Sequence, residues 1–287
     1  MKFHRRLAQV LSLVLLGALL THGYAHAADK GARRDIVKFA RFRTDGGVTY
    51  GLVEGDQLRE ITGTPFGDWT PTDKIYDLSD VKLLVPTEPT KVLACAGNYK
   101  SHLGATPAHP YPEVFFKVPS CLIADGEKIV IPPGTDNVHF EAELVIVIGK
   151  QAKNVSVEEA SDYVLGVTCG NDVSARDWQK NDVQWWRAKG ADTFGPCGPW
   201  VASGVNYDDL LLQLRVNGDV QQKQGTADME HGVDQIVSWA SRHVTLNPGD
   251  LIYTGTPGRT KPIKPGDVVE VELEKVGVLT NPVTAAR

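Results

Sequence analysis

From Val92 to Leu273 short apolar runs alternate with clusters of Gly, Pro, Asn and Asp, the pattern of strands closed by turns. It predicts strands near Val92–Ala96, Val114–Val118, Ile129–Ile131, Phe140–Ile148 and Val164–Asp172. Others lie near Leu210–Val216, before an Asn217-Gly218 turn, near Leu251–Thr254 and near Asp267–Leu273. Helical periodicity is scarce. Ser156 with Glu159 three residues on reads as a capping box that opens a helix. Val233, Ile236, Val237 and Ala240 share one face of another. Ahead of these, Asp35 to about Leu84 alternates in short segments broken by Asp45-Gly46-Gly47 and Glu54-Gly55-Asp56, both hairpin signals. This region reads as a small β lobe, with Val85 to Lys91 and its two prolines as connector. The expected fold class is α+β and strand-dominated, with the small lobe and connector over 28–90 and a larger domain over 91–287.

The first residues change the picture. Lys2, Arg5 and Arg6 precede an apolar stretch from Leu7 to Leu20, and small Ala25 and Ala27 flank His26, which is the layout of a secretory signal peptide over 1–27. The apolar run is short of the ~20 residues a bilayer span needs, so cleavage after Ala27 leaves no membrane span. The expected location is therefore exported, periplasmic or secreted. Export would put Cys95, Cys121, Cys169 and Cys197 in an oxidising compartment. Their scattered spacing fits no zinc pattern, and they read as buried small residues or one optional disulfide. A formal net charge of −5 without a Lys/Arg stripe argues against nucleic acid and anionic membranes as partners.

Chemistry enters with "HFEAELVIVIGK", His139 to Lys150. Residues i and i+2 of a strand share a face, so Glu141 and Glu143 would point the same way, about 7 Å apart. Like charges so placed repel unless something cationic lies between them. The apolar run after Glu143 implies burial, which makes an exposed strand face the weaker reading. Asp172, in "TCGNDVSARDW", ends another apolar strand just before Ser174, which can open a short helix; position alone leaves it between a binding residue and a capping one. Three carboxylates with no His or Cys in step would make a hard oxygen site suited to Mg2+, Mn2+ or Ca2+.

"CAGNYKSHLG", "PEVFFKVPSCLI", the stretch from His139 to Gln179, "RAKGADTFGPCGPWV", "LNPGDLIYTGTPG" and "IKPGDVVEVELEKVGVLTNPV" succeed one another in an order that resembles the fumarylacetoacetate hydrolase family over most of Lys91 to Val283. The resemblance implies a mixed β-sheet roll, and a divalent metal, usually Mg2+, on Glu141, Glu143 and Asp172. It also implies a catalytic histidine at His102 on a loop over the site and a substrate-contacting lysine at Lys189. Arg176 and Arg187 are helpers of lower rank or structural ion pairs, and Thr256 in "TGTPG" borders the pocket. The family pairs as dimers, so a homodimer is expected.

Family members commonly carry a glutamate three residues after the histidine, where it helps to activate water. Here that position is Ala105, with Glu113 as a conceivable substitute. A 2-oxo acid chelated through its carboxylate and keto oxygens reaches an enolate under Lewis-acid catalysis. Carbon–carbon bond hydrolysis, decarboxylation and isomerisation all start there, and Ala105 tilts the expectation away from hydrolysis. Three carboxylates exceed a divalent ion's charge by one, an excess that Lys189 would offset. Ala105 and the expected export keep a second reading open, a binding protein that retains the fold without full catalysis.

Overall fold

The structure is a computed structural model and describes residues 35–286. The expected signal peptide, and export with it, lie outside the described residues. The organising element is the Ala142–Ile148 strand, buried at all seven positions. It pairs antiparallel with Val164–Asn171 on one side and with Leu251–Tyr253 on the other. A strand with neighbours on both edges and cover on both faces has no polar side to show, hence its continuous apolar run. Its alternation survives in another form: Leu144, Ile146 and Ile148 fill one core, while Val145 and Val147 fill a second.

These strands belong to a large sheet whose order runs Trp69–Asp77, Gln57–Gly63, Gly47–Glu54, Val37–Thr44, Gly195–Ser203, Val164–Asn171, Ala142–Ile148, Leu251–Tyr253, Val92–Ala96, Glu113–Lys117. The first four form the N-terminal meander. It has its own small apolar cluster around Ala40, Phe42 and Leu58, and it continues the sheet by pairing Val37 with Ser203. A second, five-stranded sheet has the order Asp219–Gly225, Leu211–Val216, Val268–Leu273, Gly277–Ala285, Ile129–Ile131. The Val233–His243 helix packs Val233, Ile236, Val237 and Ala240 into the main core, the stripe expected from sequence. The fold is strand-dominated with few helices, as expected.

Three local expectations are corrected. The hydrogen bonds of the capping box do form, with Glu159 N donating to Ser156 Oγ at 3.3 Å and Ser156 N donating to Glu159 Oε2 at 3.4 Å. The box opens only a 3-10 turn, Ala160–Tyr163, because the chain must enter the Val164–Asn171 strand at the next residue. The Phe140–Ile148 strand is broken: Val138–His139 pairs with Ser174–Ala175, and the long strand restarts at Ala142. Ser174 is therefore in a bridge, and the helix beyond it begins at Arg176.

Strand direction places the chemistry. Leu251–Tyr253 and Val92–Ala96 run parallel, so the segments just after them, Thr254 to Gly258 and Gly97 to His102, leave the sheet at the same end. Ala142–Ile148 is antiparallel to Leu251–Tyr253 and starts at that end; Val164–Asn171 is antiparallel to Ala142–Ile148 and finishes there, with Ala142 opposite Asn171. Four segments distant in sequence thus meet at one sheet edge.

Asp250 fixes this junction. Completely buried, it accepts at Oδ1 from Thr90 N, Thr90 Oγ1 and Lys91 N (2.9, 2.8 and 3.0 Å), and at Oδ2 from Asn247 N and Lys91 Nζ (2.7 and 2.5 Å). It joins the connector to the start of Leu251–Tyr253. Removing a buried charge that satisfies several donors leaves them unpaired, so Asp250→Ala should lower unfolding free energy by about 3–5 kcal/mol in urea titrations.

Candidate active site

Glu141, Glu143 and Asp172 are buried, and one carboxylate oxygen from each lies within 4.8 Å of the others. The backbone arranges this. Asp172 N donates to Glu141 O at 2.8 Å, Glu141 N donates to Asn171 Oδ1 at 2.8 Å, and Gly255 N donates to Glu143 Oε2 at 2.7 Å. Gly255 has φ +97°, and a Cβ there would stand 2.8 Å from Asn98 Cβ, so only glycine lets this amide reach Glu143.

Resident cations already hold two of the acids. Lys189 Nζ, from the Trp186–Gly190 helix, donates to Glu141 Oε2 at 2.5 Å and Asp172 Oδ2 at 2.7 Å. Lys117 Nζ donates to Asp172 Oδ1 at 2.7 Å and to the carbonyls of Lys189 and Phe194. Arg176 adds a bond to Glu141 and donates to Thr260 Oγ1 at 2.9 Å and Gln179 Oε1 at 2.7 Å. Burial alone would raise the Glu141 pKa, but the charges of Lys189 and Arg176 win and hold it down at about 2. Burial likewise works against the Lys189 ammonium, and Asp172 with Glu141 overturns that, raising its pKa. Glu143 has no cation of its own among the described residues: burial first, then the charges of Asp172 and Glu141, push its carboxyl well above the usual range.

The expected charge excess is thereby corrected. Three carboxylates face three protein cations, because Lys117 and Arg176 join Lys189. Lys117 escaped sequence analysis; the signal available was a lone lysine inside the apolar run "VFFKV".

The wall continues into a cavity of about 140 Å³ lined by Glu141, Glu143, His102, Arg176, Lys189 and Thr256, with Gln179, Phe115 and Trp185 also present. Gln179, Phe115 and Trp185 had no distinguishing sequence signal. His102 Nδ1 donates to the Gly258 carbonyl at 2.7 Å. A carbonyl only accepts, so the neutral ring carries its hydrogen on Nδ1 and its lone pair on Nε2. Arg187 is absent from the lining; its guanidinium donates to Asp182 at 2.6 and 2.8 Å and stacks on Trp178. Ala105 is exposed. Glu113 is exposed too, paired with His109 at 3.5 Å. All four cysteines are buried and free.

The acids suit a hard divalent cation. Two oxygens held by one such ion at about 2.1–2.4 Å each stand no more than about 4.8 Å apart, and no pair in the triad exceeds that separation. Glu143, whose carboxyl burial and its two acidic neighbours push upward, supplies a further negative charge on losing its proton.

Glu143 carries two testable outcomes. Cation binding should release a proton, so divalent affinity rises with pH through the raised pKa and falls below it. For stability of the cation-free protein the sign is that of a group whose folded pKa exceeds its unfolded one: the contribution is full at low pH and is lost as pH rises through the folded value. Glu143→Gln, which mimics the protonated form, should keep or raise the neutral-pH melting temperature. It should also weaken Mn2+ binding more than about 100-fold by calorimetry.

Comparison with known proteins bears on this geometry. The family described as Fumarylacetoacetate (FAA) hydrolase C-terminal matches residues 91–284, and one described as Rv2993c-like, N-terminal, matches residues 37–86. The crystal structure of 2-hydroxyhepta-2,4-diene-1,7-dioate isomerase from Mycobacterium marinum is similar with a TM-score of 0.82 and 44% identity, covering 87% of this chain and 98% of that one. Maleylpyruvate hydrolase from Sphingobium sp. SYK-6, solved in complex with manganese (II) ion and pyruvate, is similar with a TM-score of 0.73 and 30% identity over 87% of this chain and all of that one (100%). Oxaloacetate tautomerase fahd2, mitochondrial, of Xenopus laevis is 41% identical over 73% of this chain and 70% of its own length. The match over 91–284, in a chain whose Glu141, Glu143, Lys189 and His102 line one cavity, means that this protein belongs to the fumarylacetoacetate hydrolase family and is an enzyme.

Proposed function

We propose that this enzyme tautomerises or decarboxylates a small 2-oxo dicarboxylic acid of the oxaloacetate type through its enolate, with Mg2+ or Mn2+ on Glu141, Glu143 and Asp172. When bound, that cation would supply Lewis-acid stabilisation of the negative charge that develops on the keto oxygen, worth several kcal/mol. The observation that carries the choice of reaction is the partner of His102, the Gly258 carbonyl.

A carbonyl orients the imidazole and selects its tautomer, yet it carries no full charge to stabilise the imidazolium that forms when Nε2 takes a proton. Hydrolysis requires a base that activates water and later delivers a proton to a carbon leaving group. Tautomerisation and decarboxylation require a proton to be moved at one carbon, which an oriented neutral imidazole performs. Besides the metal-binding glutamates, the cavity wall offers no carboxylate among the described residues.

Charge supports a dianionic substrate. Lys117, Lys189 and Arg176 already balance the three carboxylates, so both charges of a divalent cation remain for the substrate to neutralise. Lys189 and Arg176, at the cavity wall, hold the acids and draw the oxo acid's carboxylates, while Thr256 offers a hydroxyl on the opposite loop. The cavity lies below the roughly 300 Å³ at which pockets for drug-sized ligands begin, which favours a four- or five-carbon acid. The names of the Xenopus tautomerase and the Mycobacterium marinum isomerase point to the same enolate chemistry.

The protein from Ala28 onward, loaded with Mg2+ or Mn2+, should be assayed on oxaloacetate for keto–enol exchange and decarboxylation, on an acylpyruvate for cleavage, and on an unsaturated 2-hydroxy dioate. The expected result is a kcat/KM for oxaloacetate at least about 100-fold above that for acylpyruvate cleavage, with His102→Ala lowering the oxaloacetate rate by about 10²–10⁴-fold. Faster acylpyruvate cleavage than oxaloacetate turnover would sink this reading.

A further inference from the structure

Gln222 is buried on the Asp219–Gly225 strand at the edge of the five-stranded sheet, behind the cavity rather than in its lining. Its Oε1 accepts from Ala142 N at 3.0 Å, the amide between the two metal-site glutamates. Its Nε2 donates to Thr256 Oγ1 at 2.9 Å and to the Pro257 carbonyl at 2.5 Å. The side chain therefore spans from the second sheet to two of the four segments that build the site, at Ala142 and at Thr256–Pro257.

The orientation of this amide is not free. Turned over, its nitrogen would face the Ala142 N–H, donor against donor, and its oxygen would face the Pro257 carbonyl, acceptor against acceptor. Two backbone groups with fixed polarity thus dictate which end of the amide meets Thr256. Thr256 Oγ1 must accept, and its single hydrogen is left over. Among the described residues Gln222 is its sole hydrogen-bond partner, and Thr256 lines the cavity. The hydrogen is thus free for whatever occupies that cavity.

We propose that Gln222 is a positioning residue that fixes the Thr256 hydroxyl as a hydrogen-bond donor toward bound substrate. The consequence is selectivity by polarity: the Thr256 wall favours a group that only accepts, such as a carboxylate or enolate oxygen, over a hydroxyl that also needs an acceptor. The assignment rests on the oxo-acid reading for its substrate class and on hydrogen-bond bookkeeping for the residue.

Oxalate, an acceptor-only dianion, is the probe, titrated calorimetrically into the Mg2+-loaded full chain. Gln222→Glu keeps an acceptor for Ala142 N but replaces the donor with a second acceptor, so the Thr256 hydrogen turns back toward residue 222. Gln222→Met removes the bonds without adding charge. Oxalate affinity should fall about 10- to 100-fold in Gln222→Glu and in Thr256→Val, the range for one hydrogen bond to a charged group, and less in Gln222→Met. In the Thr256→Val background, neither change at Gln222 should cost further affinity, because the hydroxyl through which Gln222 acts is gone.

A second loss of the same size in that background, or unchanged affinity in Gln222→Glu alone, overturns the assignment and leaves the oxo-acid reading standing. A wild-type protein that binds no oxalate overturns both. Should Gln222→Glu fail to fold, Gln222→Met in the two backgrounds decides by the same comparison.

Discussion

Burying charge without water is the constraint around which this structure is built. Glu141 and Asp172 are removed from solvent at the end of a sheet, where each carboxylate costs several kcal/mol unless paired. Lys189 bridges them, Lys117 backs Asp172, and Arg176 backs Glu141. Lys117 also ties down the carbonyls of Lys189 and Phe194, so the helix that carries Lys189 is anchored by the charge that balances its target. Glu143, against the Gly255 amide, is the member left without a cation among the described residues, and this asymmetry is what lets the ion-pair network suit a doubly charged ion.

The same sheet edge explains how His102 is oriented without an acidic partner among the described residues. His102 sits on the short helix after Val92–Ala96, and the Gly258 carbonyl comes from the loop after Leu251–Tyr253. Those two strands are parallel neighbours, so the histidine and its orienting group arrive side by side as a result of topology. The orientation a carboxylate would give is supplied by backbone; the electrostatic support is not. On the proposed reading, this division of labour suits chemistry that moves a proton once.

Much of this was legible in the sequence, for definite reasons. The Ala142–Ile148 run announced a buried strand because both its neighbours and both its cores demand apolar side chains. Glu141, Glu143 and Asp172 stood out because acids flanking such runs have no packing purpose. Gly195–Ser203 escaped because prolines at 196 and 199 argue against a strand, yet it is accommodated beside the register shift in Val164–Asn171. The short helix Trp186–Gly190 spans too few turns for periodicity to register. Lys117 and Gln222 were invisible because their roles depend on polar partners 55 and 34 residues away, which no local pattern encodes. Arg187 shared a motif with Lys189 but closes onto Asp182 instead, since two residues of separation turn it toward another side of its helix.

The two-core strand has a further consequence. Leu144, Ile146 and Ile148 serve one interior and Val145 and Val147 the other, so sliding the strand by one position would drive carboxylates into oil and aliphatic side chains into the cavity. The floor of the site is thus locked to the architecture and cannot be retuned piecemeal. The rim is divided: Thr254 and Gly255 are bonded into that floor through Leu144 O and Glu143, whereas Lys100 to Leu103 form a short helix beyond the end of Val92–Ala96. A change at the base of the site therefore has to carry the whole strand with it, while the His102 helix is attached to the sheet through one strand end.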